Sequence, residues 1–213
     1  MQETIPVHEK LSARKKASQP RSQKMVKDIL DATRGLLKKS GDLKLSKITT
    51  NHIAREAGVS VGSLYQYFPN KEVILFELYK EMLGHISSVL EEFNTETLLS
   101  LPREEFFDRL IRAMKDAESD VEVVFKMHNA MKTYPMLAEA DRHHAEQLAK
   151  EIANFMQHFG SKWPVKKLQR LALHIYYIDY GSWMYRDHVH PAYQEVNEWE
   201  ISALNFMVAK CFN

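Results

Sequence analysis

The sequence predicts an all-α chain, a three-helix N-terminal module followed by a six-helix body. Three observations carry this. Apolar residues recur at helical spacing, and no run alternates with the period of two that a half-buried strand needs. Seven glycines and seven prolines scattered through 213 residues leave long windows free for helices. That length holds one small module and a larger domain with its own core.

Taken in order, residues 1–20 are polar and basic, with Lys10, Arg14, Lys15 and Lys16, and read as a flexible basic arm. From Arg21 to Ser40, Val26, Ile29, Leu30, Thr33, Leu36 and Leu37 form one stripe, and Gly41 ends the helix. A second helix runs from about Thr50 to Ala57 and a third from Val61 to Phe68. Pro69 stops the third, and Asn70 caps a long fourth helix through Phe93. Ser100-Leu101-Pro102 opens a helix ending near Ala117. Ser119-Asp120-Val121-Glu122 is a capping-box pattern for the next, which ends before Pro135. Met136 to Phe159 is closed by Gly160, Pro164 opens a helix reaching His188, and Pro191 opens the last. The predicted division is arm 1–20, reading module 21–70 and body 71–213.

Charge separates the same parts. Residues 1–80 hold 15 Lys and Arg against 8 Asp and Glu, while the remainder holds 14 against 20. A basic front on an acidic body is the asymmetry of a nucleic-acid reader attached to something else. A single cysteine, Cys211, excludes an intrachain disulfide. No stretch has a signal-peptide core or the roughly 18 apolar residues of a membrane span, so the expected location is cytoplasmic.

The stretch from Thr50 to Phe68 has the requirements of a helix-turn-helix. Ala54 is small where the second helix presses on the first, Gly58 tolerates the positive φ of the turn, and Ser60 can cap the second helix. Ile53, Ala57, Val59, Leu64 and Phe68 anchor the pair, leaving Val61, Gly62, Ser63, Tyr65 and Gln66 facing outward. Small or polar groups there let a helix settle into a major groove of double-stranded DNA.

The run from Gly58 to Glu72, with the aromatic cluster Tyr65, Tyr67, Phe68 followed by Asn70-Lys71-Glu72, resembles the signature of TetR-family transcriptional regulators. The resemblance implies phosphate contacts for Thr50, Tyr65, Tyr67 and Lys71. It places Ser60, Val61, Gly62 and Ser63 toward base edges, and Asn51 where it reaches a base. No Arg lies between Ser60 and Gln66, so base reading falls to Asn51, Ser63, Gln66, a thymine methyl near Val61, and DNA shape.

The resemblance also implies a ligand-binding and dimerisation body, and a repressor released from a pseudo-palindromic operator by a small apolar or aromatic effector. Met114, Phe125, Met131, Phe155, Tyr177 and Trp183 are the soft and aromatic candidates for such a pocket. His128, His174 and Asp179 are candidate polar anchors. On the last helix, Val196, Trp199, Ala203 and Phe206 form one stripe and Ile201, Leu204 and Val208 another. A helix apolar on two sides is buried on two sides. A homodimer through the last two helices is therefore expected.

No catalytic motif, cofactor fingerprint or metal-spaced cluster occurs. His143-His144 points two rings about 100 degrees apart along a helix, and His188-Val189-His190 falls at a helix end. Neither an enzymatic activity nor a cofactor is expected. The alternative is a small-molecule carrier or enzyme retaining an idle DNA-binding module.

Overall fold

The computed structural model describes residues 20–39, 45–117, 121–186 and 193–213. Among these lie ten α-helices and no strand. They are α1 (Pro20–Lys39), α2 (Thr50–Glu56), α3 (Val61–Tyr67), α4 (Lys71–Phe93), α5 (Glu96–Leu99), α6 (Arg103–Ala117), α7 (Val121–Ala130), α8 (Pro135–His158), α9 (Val165–Arg186) and α10 (Tyr193–Ala209). The helix beyond the nine expected is α5, a single turn capped by the Thr95 hydroxyl and too short to show a periodicity. The predicted stop at Gly41, the capping Ser119-Asp120, the pair His188 and His190, and Pro191 lie outside the described residues. No described helix is long and apolar enough to cross a membrane.

The chain forms two compact units, the first from stretches 1–82 and 120–139 and the second from 83–119 and 140–213. The divisions at 82/83 and 139/140 fall inside helices, so α4 and α8 each contribute to both.

In the first unit, α1 buries Ile29, Leu30, Ala32, Thr33 and Leu37. Thr33 is satisfied inside by donating its hydroxyl to the Ile29 carbonyl at 2.8 Å. Ion pairs one turn apart, Lys24–Asp28 and Lys27–Asp31, line its outer face. Helix α7 packs on α1 through buried Val123 and Met127, and the Lys126 ammonium donates to the Leu37 carbonyl near the end of α1. Ile53, Leu64, Phe68, Ile74 and Leu78 complete this core.

The second unit is built around Phe106 on α6. Its ring meets Phe93, Phe107, Phe155 and Phe159 at centroid distances of 5.6, 5.3, 5.1 and 4.6 Å. Most of these are edge-on contacts, the geometry aromatic quadrupoles favour. Gly160, at φ +92°, ends α8, with Ser161 N–H donating to the Met156 carbonyl and Gly160 N–H to the Gln157 carbonyl. On α10, Val196 joins Ile201, Leu204 and Val208 on the buried side, whereas the sequence grouped it with the other stripe. Trp199, Ala203 and Phe206 are exposed, as their own stripe.

Candidate nucleic-acid interface and body cavity

The turn between α2 and α3 follows from its residues. Thr49 caps α2 by accepting from His52 N–H at 3.3 Å. Gly58 takes φ +66°, with its own N–H donating to the Arg55 carbonyl and Val59 N–H to the Ala54 carbonyl. These two bonds close α2 in the way a left-handed terminal residue allows. Ser60 then caps α3, accepting from Ser63 N–H at 3.0 Å. Leu64, Tyr67 and Phe68 turn inward, so the opposite face of α3 is left outward.

Nine of the ten predicted nucleic-acid residues are at least partly exposed. Asn51, Ser60, Val61, Gly62, Tyr65 and Gln66 are exposed, and Thr50, Ser63 and Lys71 are half-buried. Tyr67 is 7% exposed and packs into the core of its unit. Thr50 and Tyr65 hydroxyls lie 3.0 Å apart, joining the start of α2 to the middle of α3. Ser60 and Ser63 hydroxyls are 2.8 Å apart. Lys71 stands at the first turn of α4, donates to the Leu45 carbonyl at 3.2 Å, and lies 5.8 Å above the Tyr134 ring. A methyl added at Gly62 would meet nothing nearer than Ser60 Oγ at 3.8 Å. Packing within the chain therefore does not require glycine there, and its effect is to keep the α3 surface low.

Residues 29–78 match the family described as bacterial regulatory proteins, tetR family. Those residues carry the N-terminal domain of the TetR family. A curated relative, the fatty acid metabolism regulator protein of Bacillus subtilis, is 50% identical over 40 residues, and the match spans 19% of this chain and about a fifth (21%) of that protein's length. The whole fold is also that of TetR-family structures. A TetR transcription regulator from Haloarcula marismortui superposes with a TM-score of 0.71 at 14% identity, over 89% of this chain and 98% of that one. A transcriptional regulator from Rhodococcus gives 0.69 at 16%, over 87% and 95%. TetR-family proteins are transcription regulators rather than enzymes.

The second unit contains a narrow, partly open cavity of about 70 Å³. Its wall is almost wholly apolar, with residues such as Ile86, Phe107, Leu110, Leu148, Ile175 and Leu204. Of the predicted pocket residues, Met114 lines it, and so does the predicted anchor Asp179. Phe125, His128 and Met131 belong to the first unit, where the His128 ring meets Tyr79 edge-on at 6.3 Å. Phe155 is spent in the Phe106 cluster. His174 and Tyr177 are exposed because the cavity takes the other face of α9, namely Ala172, Ile175, Tyr176 and Asp179. The side chain of Trp183 lies outside the described residues. Sequence reading missed Lys115, which pairs across 64 and 85 residues with Asp179 and Glu200. No local spacing announces such a pairing.

A second polar group lies along α8. Asp141 is buried and accepts from the Tyr176 hydroxyl at 2.6 Å. One turn on, His144 Nδ1 sits 3.5 Å from Ser87 Oγ, and Nε2 is buried without a hydrogen-bond partner. Burial pushes the His144 pKa from 6.5 down to about 4, against the pull of Asp141. A histidine depressed in this way is neutral when folded and protonated when unfolded between those values. Its contribution is therefore fully present above about pH 6.5 and is lost as pH falls toward 4, by about 2–3 kcal/mol. Replacing His144 by glutamine should flatten the drop in melting temperature between about pH 7 and pH 5. Superimposable pH profiles of the two proteins would show that this histidine is not held neutral.

Proposed function

We propose that this chain is a homodimeric, sequence-specific DNA-binding transcriptional repressor that releases its operator when a small apolar effector enters the body. The observation that carries the reading is the outward face of α3, with the Thr50–Tyr65 hydroxyl pair beside it and Lys71 at the next helix start. Hydroxyls and an ammonium at the rim suit phosphate contacts, which fix register, while Asn51, Ser63, Gln66 and the Val61 methyls meet base edges. With no side chain at Gly62, the helix axis can approach the bases closely. The location that goes with this role is the cytoplasm.

Two copies are needed because one α3 reads only a half-site. Trp199 is 61% and Phe206 62% exposed, two turns apart on one side of α10. On α9, His174, Tyr177, Ile178 and Gly181 are exposed along one face at helical spacing. Large exposed apolar side chains aligned on neighbouring helices suit a two-fold interface. Replacing both Trp199 and Phe206 by glutamate should convert a dimer to a monomer in sedimentation and cost most of the DNA affinity. A double variant that still sediments as a dimer would place the interface elsewhere.

The narrow cavity is the proposed effector site, and its ligand acts by favouring one body conformation and so changing the separation of the two reading helices. The function itself is tested by titrating the purified chain with duplex DNA from its own upstream region at two salt concentrations. Binding through several phosphates should weaken steeply as salt rises. Affinity that is flat with salt, or no binding at all to that DNA or to any other duplex, would contradict the reading.

A further inference from the structure

The cavity wall carries two charged side chains, and they are bound to each other. Lys115 Nζ lies 2.6 Å from Asp179 Oδ1 and 2.8 Å from Glu200 Oε2, with the lysine side chain only 6% exposed. Lys115 and Asp179 line the cavity, while Tyr176, the other polar group in the wall, gives its hydroxyl to Asp141. Resting on the reading of this cavity as the effector site, we infer that its ligand is a slender uncharged molecule bearing an oxygen acceptor, and that Asp179 makes the site reject carboxylates of the same shape.

The argument is electrostatic and geometric. An entering anion has one cation in the wall to meet, and that cation already faces two carboxylates. The anion must either displace one of them into apolar surroundings or bring a third negative charge beside the pair, and both are costly where water is scarce. An entering ammonium meets the like charge of Lys115 and must compete with it for Asp179. An uncharged body meets neither obstacle. Lysine has three donor protons and the two carboxylates use two, so the third remains for a hydroxyl, ketone or ester oxygen. The cavity volume of about 70 Å³ is well under the roughly 300–1,000 Å³ of common small-molecule sites, which favours a slender ligand.

The test measures binding of 1-hexanol, hexanoate and hexylamine to the full-length chain by calorimetry at about pH 7.5, where the acid is ionised. Two cavity-filling variants, Met114→Trp and Ala149→Val, report whether the probes enter this site, and Asp179→Asn reports selectivity. The expected result is that hexanol binds, that hexanoate and hexylamine bind at least about tenfold more weakly, and that either filling variant weakens hexanol. Asp179→Asn should bring hexanoate up by about tenfold while leaving hexanol within about twofold. Hexanoate binding as tightly as hexanol, with both lost on filling, would overturn the selectivity and keep the site. An unchanged ratio in Asp179→Asn would overturn the role of that residue. If no probe binds, or both filling variants bind hexanol as the parent does, the effector-site reading falls and this inference with it.

Discussion

The full-length chain carrying Tyr65→Phe and Lys71→Gln together is expected to bind its operator about 100-fold more weakly than the parent. Tyr65→Phe removes a hydroxyl donor and Lys71→Gln a positive charge, each proposed above to meet a phosphate. Hydrogen bonds to charged groups contribute about 1.5–3 kcal/mol each, and about 1.4 kcal/mol is tenfold in affinity. Loss of the Lys71 charge should also reduce the dependence of log affinity on log salt by about one phosphate's worth. The two residues act on all sequences alike, because phosphates carry no base information. Gln66→Ala is the contrast, since it should relax the preference at one base pair by about 1–3 kcal/mol and leave the salt dependence unchanged. Both altered side chains also make bonds within the chain, Tyr65 with Thr50 and Lys71 with the Leu45 carbonyl. Thermal unfolding of the double variant must therefore be followed alongside its binding. A melting temperature close to the parent's assigns the loss of affinity to the interface.

Phe106→Ala is expected to remove about 3–5 kcal/mol of stability, the largest effect of any single substitution in the body. Phe106 is fully buried and its ring touches four other aromatic rings drawn from α4, α6, α8 and the turn after α8. Truncation loses the transfer energy of the ring and leaves a void that four rigid neighbours cannot collapse to fill. Denaturant unfolding of the variant measures the loss directly. A change under about 1 kcal/mol would show that the aromatic cluster repacks freely.

The reading module was legible in the sequence because its constraints are local. Gly58 announces a positive φ, Ser60 a cap, Pro69 a stop, and Ile53, Leu64 and Phe68 an inward face, all within twenty residues. Tyr67 shows the same. The resemblance implied a phosphate contact for it, whereas local spacing, one turn after Leu64, gives the buried position that it takes. Helix existence in the body was legible for the same local reasons, except for the one-turn α5.

The cavity was not legible. Soft and aromatic residues such as Phe125, Met131 and Phe155 look alike in sequence whether they line a cavity, fill a core or belong to another unit. Which face of α9 turns toward the cavity is set by packing of five helices, so His174 and Tyr177 could not be told from Ile175 and Tyr176 by periodicity alone. The Lys115 pairs depend on chain topology across 64 and 85 residues. The two stripes of α10 were visible, but Val196 sits near their boundary and only packing assigned it to the buried one.

The central claim is that the outward face of α3 reads DNA as one of a pair. The most direct measurement is selection of bound sites by the full-length chain from a pool of randomised duplex DNA, run in parallel with the Tyr65→Phe, Lys71→Gln protein. The account predicts enrichment of one site with two-fold related halves whose centres lie about one helical turn, or a multiple of it, apart. It also predicts that the double variant enriches that site poorly or not at all. A pool left unenriched by the parent protein, or enriched equally by both, would contradict it.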